Sequence, residues 1–224
     1  MIVLLAHEVD PWVPGLARQV EELSGAGVGI LTPRDLSRRG WALASPPGAP
    51  TDRMVVGGEV MAASAASLVV SLLDDVYPAE LVWIREQDAE YVAAEMAAFL
   101  RYWLTSVSGQ VLVPPGDQSL AGPDAPVAAW ARAAGVPVAA GASAGGEAFR
   151  EVSVTGGLVA GASAPALRRA TVAMAEWAGV PWLRTFFAAD RDELRFVVPL
   201  PALADGTDEA AAVIAAAHQG RRAA

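Results

Sequence analysis

The sequence predicts an α/β protein in which a Rossmann-like parallel sheet is followed by a small α+β lobe. Three features lead there. The chain opens as strand, helix and strand, the order that builds a parallel sheet through a right-handed crossover. A long helix with one apolar stripe lies between later strands. The texture then changes at Gly141-Ala-Ser-Ala-Gly-Gly146, after which strands pair around glycines.

Taken in order, residues 1–7 (Met-Ile-Val-Leu-Leu-Ala-His) are an apolar run that ends on charge, as a fully buried strand does. Residues 12–23 have helical period, with Leu16, Val20 and Leu23 on one face. Residues 28–31 are the second strand. Residues 33–51 are rich in Pro, Gly and Ser and read as loop. Residues 53–56 and 60–62 flank Gly57-Gly58 and suit a hairpin. Residues 68–72 form the next strand. In the long helix Val92, Met96, Phe99, Leu100 and Trp103 repeat on one side. Glu86, Asp88 and Glu90 near its start and Arg101 near its end suit the helix dipole. Residues 111–113 read as a strand stopped by Pro114-Pro115, residues 126–134 as a helix and residues 136–139 as a strand. Two strands around Gly156-Gly157, a helix over 166–178, strands near 183–188 and 194–198 and a helix over 208–218 complete the pattern. The resulting domain expectation is 1–140, a Gly/Ala-rich junction 141–149, and 150–224.

Composition narrows the chemistry. All 16 basic residues are arginine, and the chain has no lysine, asparagine or cysteine. Codon usage in a GC-rich genome accounts for the depletion itself. Its consequence is chemical: no Schiff base, no lysine on a phosphate, no thiol nucleophile and no thiolate metal site. With 54% hydrophobic and 18% charged residues there is ample core and little disposition to disorder. A net charge of −9 argues against a nucleic-acid backbone as partner. The longest uncharged run, 152–167, is shorter than the roughly 18 apolar residues of a membrane helix. Residues 2–6 are too short for a signal segment. The expectation is a cytoplasmic protein with no membrane contact. The apolar excess, including seven tryptophans, fits either a full core or a subunit interface.

Candidate site residues gather first after the opening strand, at His7, Glu8 and Asp10. Ligands bind beyond the carboxyl ends of parallel strands, and a histidine beside carboxylates can act as a base or metal ligand. The plainer alternative, and the preferred one, has Asp10 capping the next helix ahead of Pro11 while His7 makes a buried hydrogen bond. Asp74-Asp75 could hold a divalent ion, although a turn with capping aspartates is the simpler reading. Glu95 borders the apolar stripe of the long helix, and Arg85 is its expected partner. Residues 141–146 follow a strand as a phosphate loop would, but lack its glycine and lysine pattern. Ser143 and Ser163 lack the nucleophile-elbow context.

One resemblance adds to this. Val70-Ser-Leu-Leu-Asp-Asp-Val-Tyr-Pro-Ala-Glu-Leu-Val-Trp-Ile, Asp88-Ala-Glu-Tyr-Val-Ala-Ala-Glu-Met-Ala-Ala-Phe-Leu100, Val111-Leu-Val-Pro and Leu120-Ala-Gly-Pro123 follow one another in the chain. Together they resemble the N-terminal, pre-ATP-grasp region of RimK-like ATP-grasp ligases from actinobacteria, over about residues 1–140. Residues 151–161 and 167–198, leading to Pro199-Leu-Pro201, are similar to the closing segment of those ligases. The resemblance implies a Rossmann-like sheet of pre-ATP-grasp type and a truncated ATP-grasp-like lobe. It also implies that the segment folding over ATP is missing, since residues 141–146 join the two parts almost directly. The family places lysines on phosphate, and acidic residues with asparagine on magnesium. None of its lysines or asparagines is present, so no family catalytic residue carries over.

The expectation is therefore a shortened, non-catalytic protein with no cofactor and no metal. It would serve as a binding module, a homodimer, or a subunit beside a peptide- or natural-product-modifying enzyme. The alternative is an enzyme of altered, ATP-independent chemistry. Its catalytic candidates are His7, Asp10 and Asp74, and its ligand contacts Glu8, Arg85 and Glu95.

Overall fold

The structure is a computed structural model that describes residues 1–44, 51–107, 110–139, 148–162, 164–201 and 207–223. The chain divides into two compact units, Met1–Gly122 with Ile214–Ala224, and Pro123–Val213. The Gly141–Gly146 junction and Ser163 lie outside the described residues. No described helix is long and apolar enough to cross a membrane.

The first unit is built on β1 (Ile2–Leu5), β2 (Val28–Leu31) and β5 (Leu68–Ser71), paired in parallel in the order β2-β1-β5. All four residues of β1 are inaccessible to solvent, which is why that run carries no polar side chain. Helix α1 (Val13–Ser24) buries Val13, Leu16 and Val20 and stops at Gly25, whose φ of 64° is the left-handed cap. The predicted cap for α1 is not formed: Trp12 occupies that position, and the Asp10 carbonyl, not its carboxylate, accepts from Val13 N–H.

Within the span read as loop, a short helix α2 (Pro33–Leu36) forms because Asp35 bonds the Thr32 N–H as a capping box. Asp35 is 4% exposed and also accepts the Gly57 and Gly58 N–H groups. One carboxylate thus ties α2 to the turn between β3 (Arg53–Val56) and β4 (Glu59–Ala62). That turn has φ of 57° and 86° at Gly57 and Gly58, as a tight two-residue hairpin requires.

Helix α3 (Glu86–Ser106) turns inward a face that keeps Leu100 and Trp103 of the expected stripe but sets alanines where its other large residues were expected. Ala89, Ala93, Ala97, Leu100, Trp103 and Leu104 are buried, while Val92, Met96 and Phe99 are only half-buried. Alanines every four residues let the helix approach the core closely and push the larger chains to its flank. Arg101 bonds the Gly116 carbonyl rather than the end of its own helix. The strand expected at 111–113 reduces to a single parallel bridge, Val111 to Val69, because Pro114-Pro115 has no N–H to extend it.

The second unit is an antiparallel sheet of β6 (Phe149–Thr155), β7 (Leu158–Gly161), β8 (Trp182–Ala188) and β9 (Leu194–Val198), ordered β7-β6-β8-β9. Helices α4 (Val127–Ala134) and α5 (Pro165–Ala178) pack on one face over Val152, Val154, Leu183, Phe187 and Leu194. Buried in that layer, the Thr171 and Thr185 hydroxyls bond each other at 2.6 Å. The Leu167 carbonyl lies 3.0 Å from Thr171 Oγ1 and the Val152 carbonyl 3.1 Å from Thr185 Oγ1, so two hydroxyl protons are divided among three contacts. The strand expected at 136–139 is again one bridge, Val138 to Leu194. The last helix, α6 (Asp208–Ala223), runs five residues beyond its predicted end at 218. From its portion in the first unit, Arg221 donates to the Val111 carbonyl.

Candidate functional site

In the first unit the chain leaves β1 to build β2 on one side and later β5 on the other. The winding reverses there, so the crevice beyond the carboxyl ends of β1 and β5 is where an open parallel sheet offers a site. His7 follows β1 and Asp74 follows β5. The register that sets Leu5 beside Ser71 brings the two side chains together.

The His7 ring sits between two carboxylates. Nε2 lies 2.8 Å from Asp74 Oδ1, and Nδ1 lies 2.9 and 3.0 Å from the two oxygens of Glu80. Glu80 closes a single 3-10 turn, Pro78–Glu80, whose Tyr77 N–H donates back to Oε2. The Tyr77 hydroxyl donates to Asp74 Oδ2 at 2.9 Å, and its ring stacks on the imidazole at 5.0 Å and 17°. Asp74 Oδ1 further accepts the Asp75 N–H, and the Asp74 carbonyl accepts that of Leu120. The His7 and Glu80 side chains are 12% and 11% exposed, whereas Asp74 is 51% exposed.

Electrostatics follow from that geometry. Burial opposes a charge on His7, but the hydrogen bonds to Asp74 and Glu80 together outweigh it and raise the imidazole to about 10. The same His7 bond, against the opposing effect of burial, holds Asp74 down at about 2. Tyr77 is pushed up to about 12, first by its bond to Asp74. Asp10 is raised chiefly by burial, with the His7 charge pulling the other way. At neutral pH His7 is an imidazolium donating through both nitrogens. It has no lone pair for a proton or a metal ion.

The structure therefore brings His7 and Asp74 together and sets Asp10 beside them, its N–H on the His7 carbonyl. Glu8 points elsewhere and pairs with Arg34 at 3.1 Å, both exposed, while the Arg34 guanidinium lies 5.7 Å from the centre of the Trp83 ring. Arg85 and Glu95 are exposed, and no ion pair joins them. Glu95 is in water and needs no cation. Glu80 and Tyr77 are the members that the sequence reading did not single out. Proline one residue after Tyr77 and glutamate two after that is a capping-box spacing, hidden because tyrosine stands where serine or threonine usually does.

The second unit presents a different surface. On the sheet face away from α4 and α5, Phe186 stacks on Phe196 at 4.3 Å, and Phe149 meets Phe196 edge-on at 5.3 Å. Arg184 pairs with Glu151 at 2.6 Å and lies over Phe186. Among the described residues no group of three or more His, Asp and Glu is arranged to hold a metal ion.

No protein-family model and no curated protein matches the sequence. Solved structures do match its fold. Macrocyclase MdnC from Microcystis aeruginosa MRC, bound with precursor peptide MdnA, superposes with a TM-score of 0.65 at 12% identity. The match covers 98% of this chain and 100% of that one. The fold is ATP-grasp-like. ATP-grasp ligase PsnB, complexed with precursor peptide PsnA2 and AMPPNP, gives 0.61 at 12% identity, covering 99% and 96%. Macrocyclase MdnB from the same Microcystis strain gives 0.55 at 11%, covering 88% and 91%. At such identities the likeness is one of fold.

Proposed function

We propose that this chain is a shortened, RimK-like ATP-grasp protein that does not turn over ATP. It acts as a binding module or partner subunit of a peptide- or natural-product-modifying enzyme, and the expected peptide is a precursor of the kind held by the matched ligases. The observation that carries this reading is an ATP-grasp-like fold on a chain without lysine or asparagine. The resemblance to the ligases calls for lysines on phosphate, and for acidic residues with asparagine on magnesium. In the closing segment, β9 offers Leu, Arg, Phe, Val and Val, with no carboxylate or amide. The open face of that sheet carries phenylalanines. Magnesium finds no carboxylate or amide oxygen among these β9 residues.

Calorimetric titration with Mg-ATP tests the reading directly. No heat above dilution is expected, and binding in the micromolar range would overturn it. Affinity purification of the full chain from its own cells should bring down an ATP-grasp ligase. Recovery of the chain only as a homodimer, with no enzyme, would favour self-association as its working state.

The placement of His7 and Asp74 at the reversal of winding supports a second reading, an ATP-independent enzyme with its chemistry at that crevice. A histidine held protonated by two carboxylates is poorly suited to be its base. If His7→Ala and Asp74→Ala both leave every cellular activity of the folded protein intact, this second reading falls.

A further inference from the structure

Just after α2, residues Arg38 and Arg39 are both exposed, and neither takes part in an ion pair among the described residues. That is notable in a chain of net charge −9, where a spare carboxylate is usually near. The nearest acidic residue in sequence, Asp35, is committed to the Thr32, Gly57 and Gly58 N–H groups. The Arg38 guanidinium rests against the hairpin turn, since a Cβ added at Gly58 would come within 2.5 Å of Nη1.

Arg38 and Arg39 border a cleft of about 310 Å³ that Leu36, Trp41, Met96 and Phe99 also line. Its aromatic walls are fixed. Trp41 Nε1 donates to the Asp35 carbonyl at 3.0 Å, and the indole meets Phe99 edge-on at 5.3 Å. Met96 and Phe99 are the large residues of α3 displaced to its flank by the inward alanines, so the cleft follows from the way that helix packs. Met96 supplies an adaptable side. An apolar cleft with a few convergent polar groups at its rim is the usual form of a small-molecule site, and this volume takes one aromatic ring with its polar group.

We propose that this cleft binds an organic carboxylate with an aromatic or branched apolar body. The body would sit against Trp41, Met96 and Phe99, and the carboxylate between Arg38 and Arg39. Guanidinium forks match the two oxygens of a carboxylate. A monoanion suits the site better than a bare polyanion, because its Leu36, Trp41, Met96 and Phe99 lining is apolar and the chain as a whole repels negative charge. The chemistry is the same for a free acid and for the C-terminal residue of a peptide. The inference stands apart from the role proposed above, since it rests on the first unit's own residues and needs no ATP-grasp partner.

The test is calorimetric or ligand-observed NMR titration of the full chain with four probes at low salt. N-acetyl-phenylalanine should bind with Kd at or below about 1 mM. N-acetyl-phenylalaninamide, which lacks the carboxylate, should bind at least about tenfold more weakly. The double variant Arg38→Ala/Arg39→Ala should bind the acid no better than the amide, and its melting temperature should hold because both side chains are in water. A hexapeptide ending in phenylalanine that binds more tightly than the free acid assigns the site to peptide termini. Equal binding of the two assigns it to small acids. Acid and amide binding alike, a double variant that binds as the parent does, or inorganic phosphate binding more tightly than the acid would each overturn the proposal.

Discussion

The crevice at the ends of β1 and β5 and the open face of the β6–β9 sheet solve opposite problems. The first keeps polar groups and neutralises them internally: His7 is shared by Asp74 and Glu80, and Tyr77 closes the ring. The second sets the Arg184–Glu151 pair among phenylalanines. The lesson concerns what a perturbed titratable group means. Shifts as large as those at His7 are found at active sites, but they also arise where charges satisfy one another and have nothing left to offer a ligand. On the open face of the second unit, aromatic rings rather than further charges surround the pair.

The comparison implies that the second unit is held by its apolar layer and the crevice of the first by its ions. The largest effect is therefore expected from the core. Phe187→Ala removes a ring that is 0% exposed between β8 and the helices, and should cost about 3–5 kcal/mol in urea unfolding. His7→Ala comes next. It leaves Glu80, 11% exposed, facing Asp74 without the cation between them, and should cost about 2 kcal/mol. A loss below about 0.5 kcal/mol would mean that the crevice is not held by its ions.

Much of this was legible in the sequence, for reasons visible residue by residue. The run Ile2–Leu5 had to be a buried strand because it has no polar face, and Gly57-Gly58 and Gly156-Gly157 had to be turns because only glycine adopts their φ cheaply. Periodicity gave the inward face of α3 only in part: Leu100 and Trp103 are buried as expected, but Ala89, Ala93 and Ala97 rather than Val92, Met96 and Phe99 complete it. Periodicity could not show that residues 111–113 and 136–139 contribute single bridges, which depends on which backbone groups find a partner. At the crevice, His7 and Asp74 stood out as ionisable residues at strand ends. Glu80 was missed because its role comes from a turn that folds it back toward a residue 73 positions away.

The ionic crevice should also show itself in pH. His7 is raised from its usual 6.5 to about 10, so its contribution is complete below pH 6.5 and is lost as pH rises towards 10. Asp74 is lowered from 3.8 to about 2, so its contribution is complete above 3.8 and is lost as pH falls towards 2. Stability measured by unfolding should therefore be flat between those limits and decline on both sides, and His7→Ala should flatten the alkaline decline. The other histidine is an internal control. His218 is shifted the opposite way, chiefly by burial and then by Arg222. At pH 8, nitrogen-correlated NMR should show both His7 ring nitrogens protonated and His218 neutral. A neutral His7 ring at that pH would remove the basis for excluding it as a base.

The smallest effect should come from the Arg184–Glu151 pair of the second unit. Glu151→Gln removes the charge opposite Arg184 but keeps the shape and one acceptor oxygen. The two side chains are 38% and 30% exposed, so water replaces most of what is lost, and the change should stay within about 0.5 kcal/mol. A loss comparable to that of His7→Ala would make the pair structural, and the two surfaces would then not differ as argued. A near-neutral result carries a further consequence. Arg184 would remain over the Phe186 ring at 5.2 Å, held by stacking rather than by charge. Arg184 would then be placed by its aromatic neighbour rather than by Glu151.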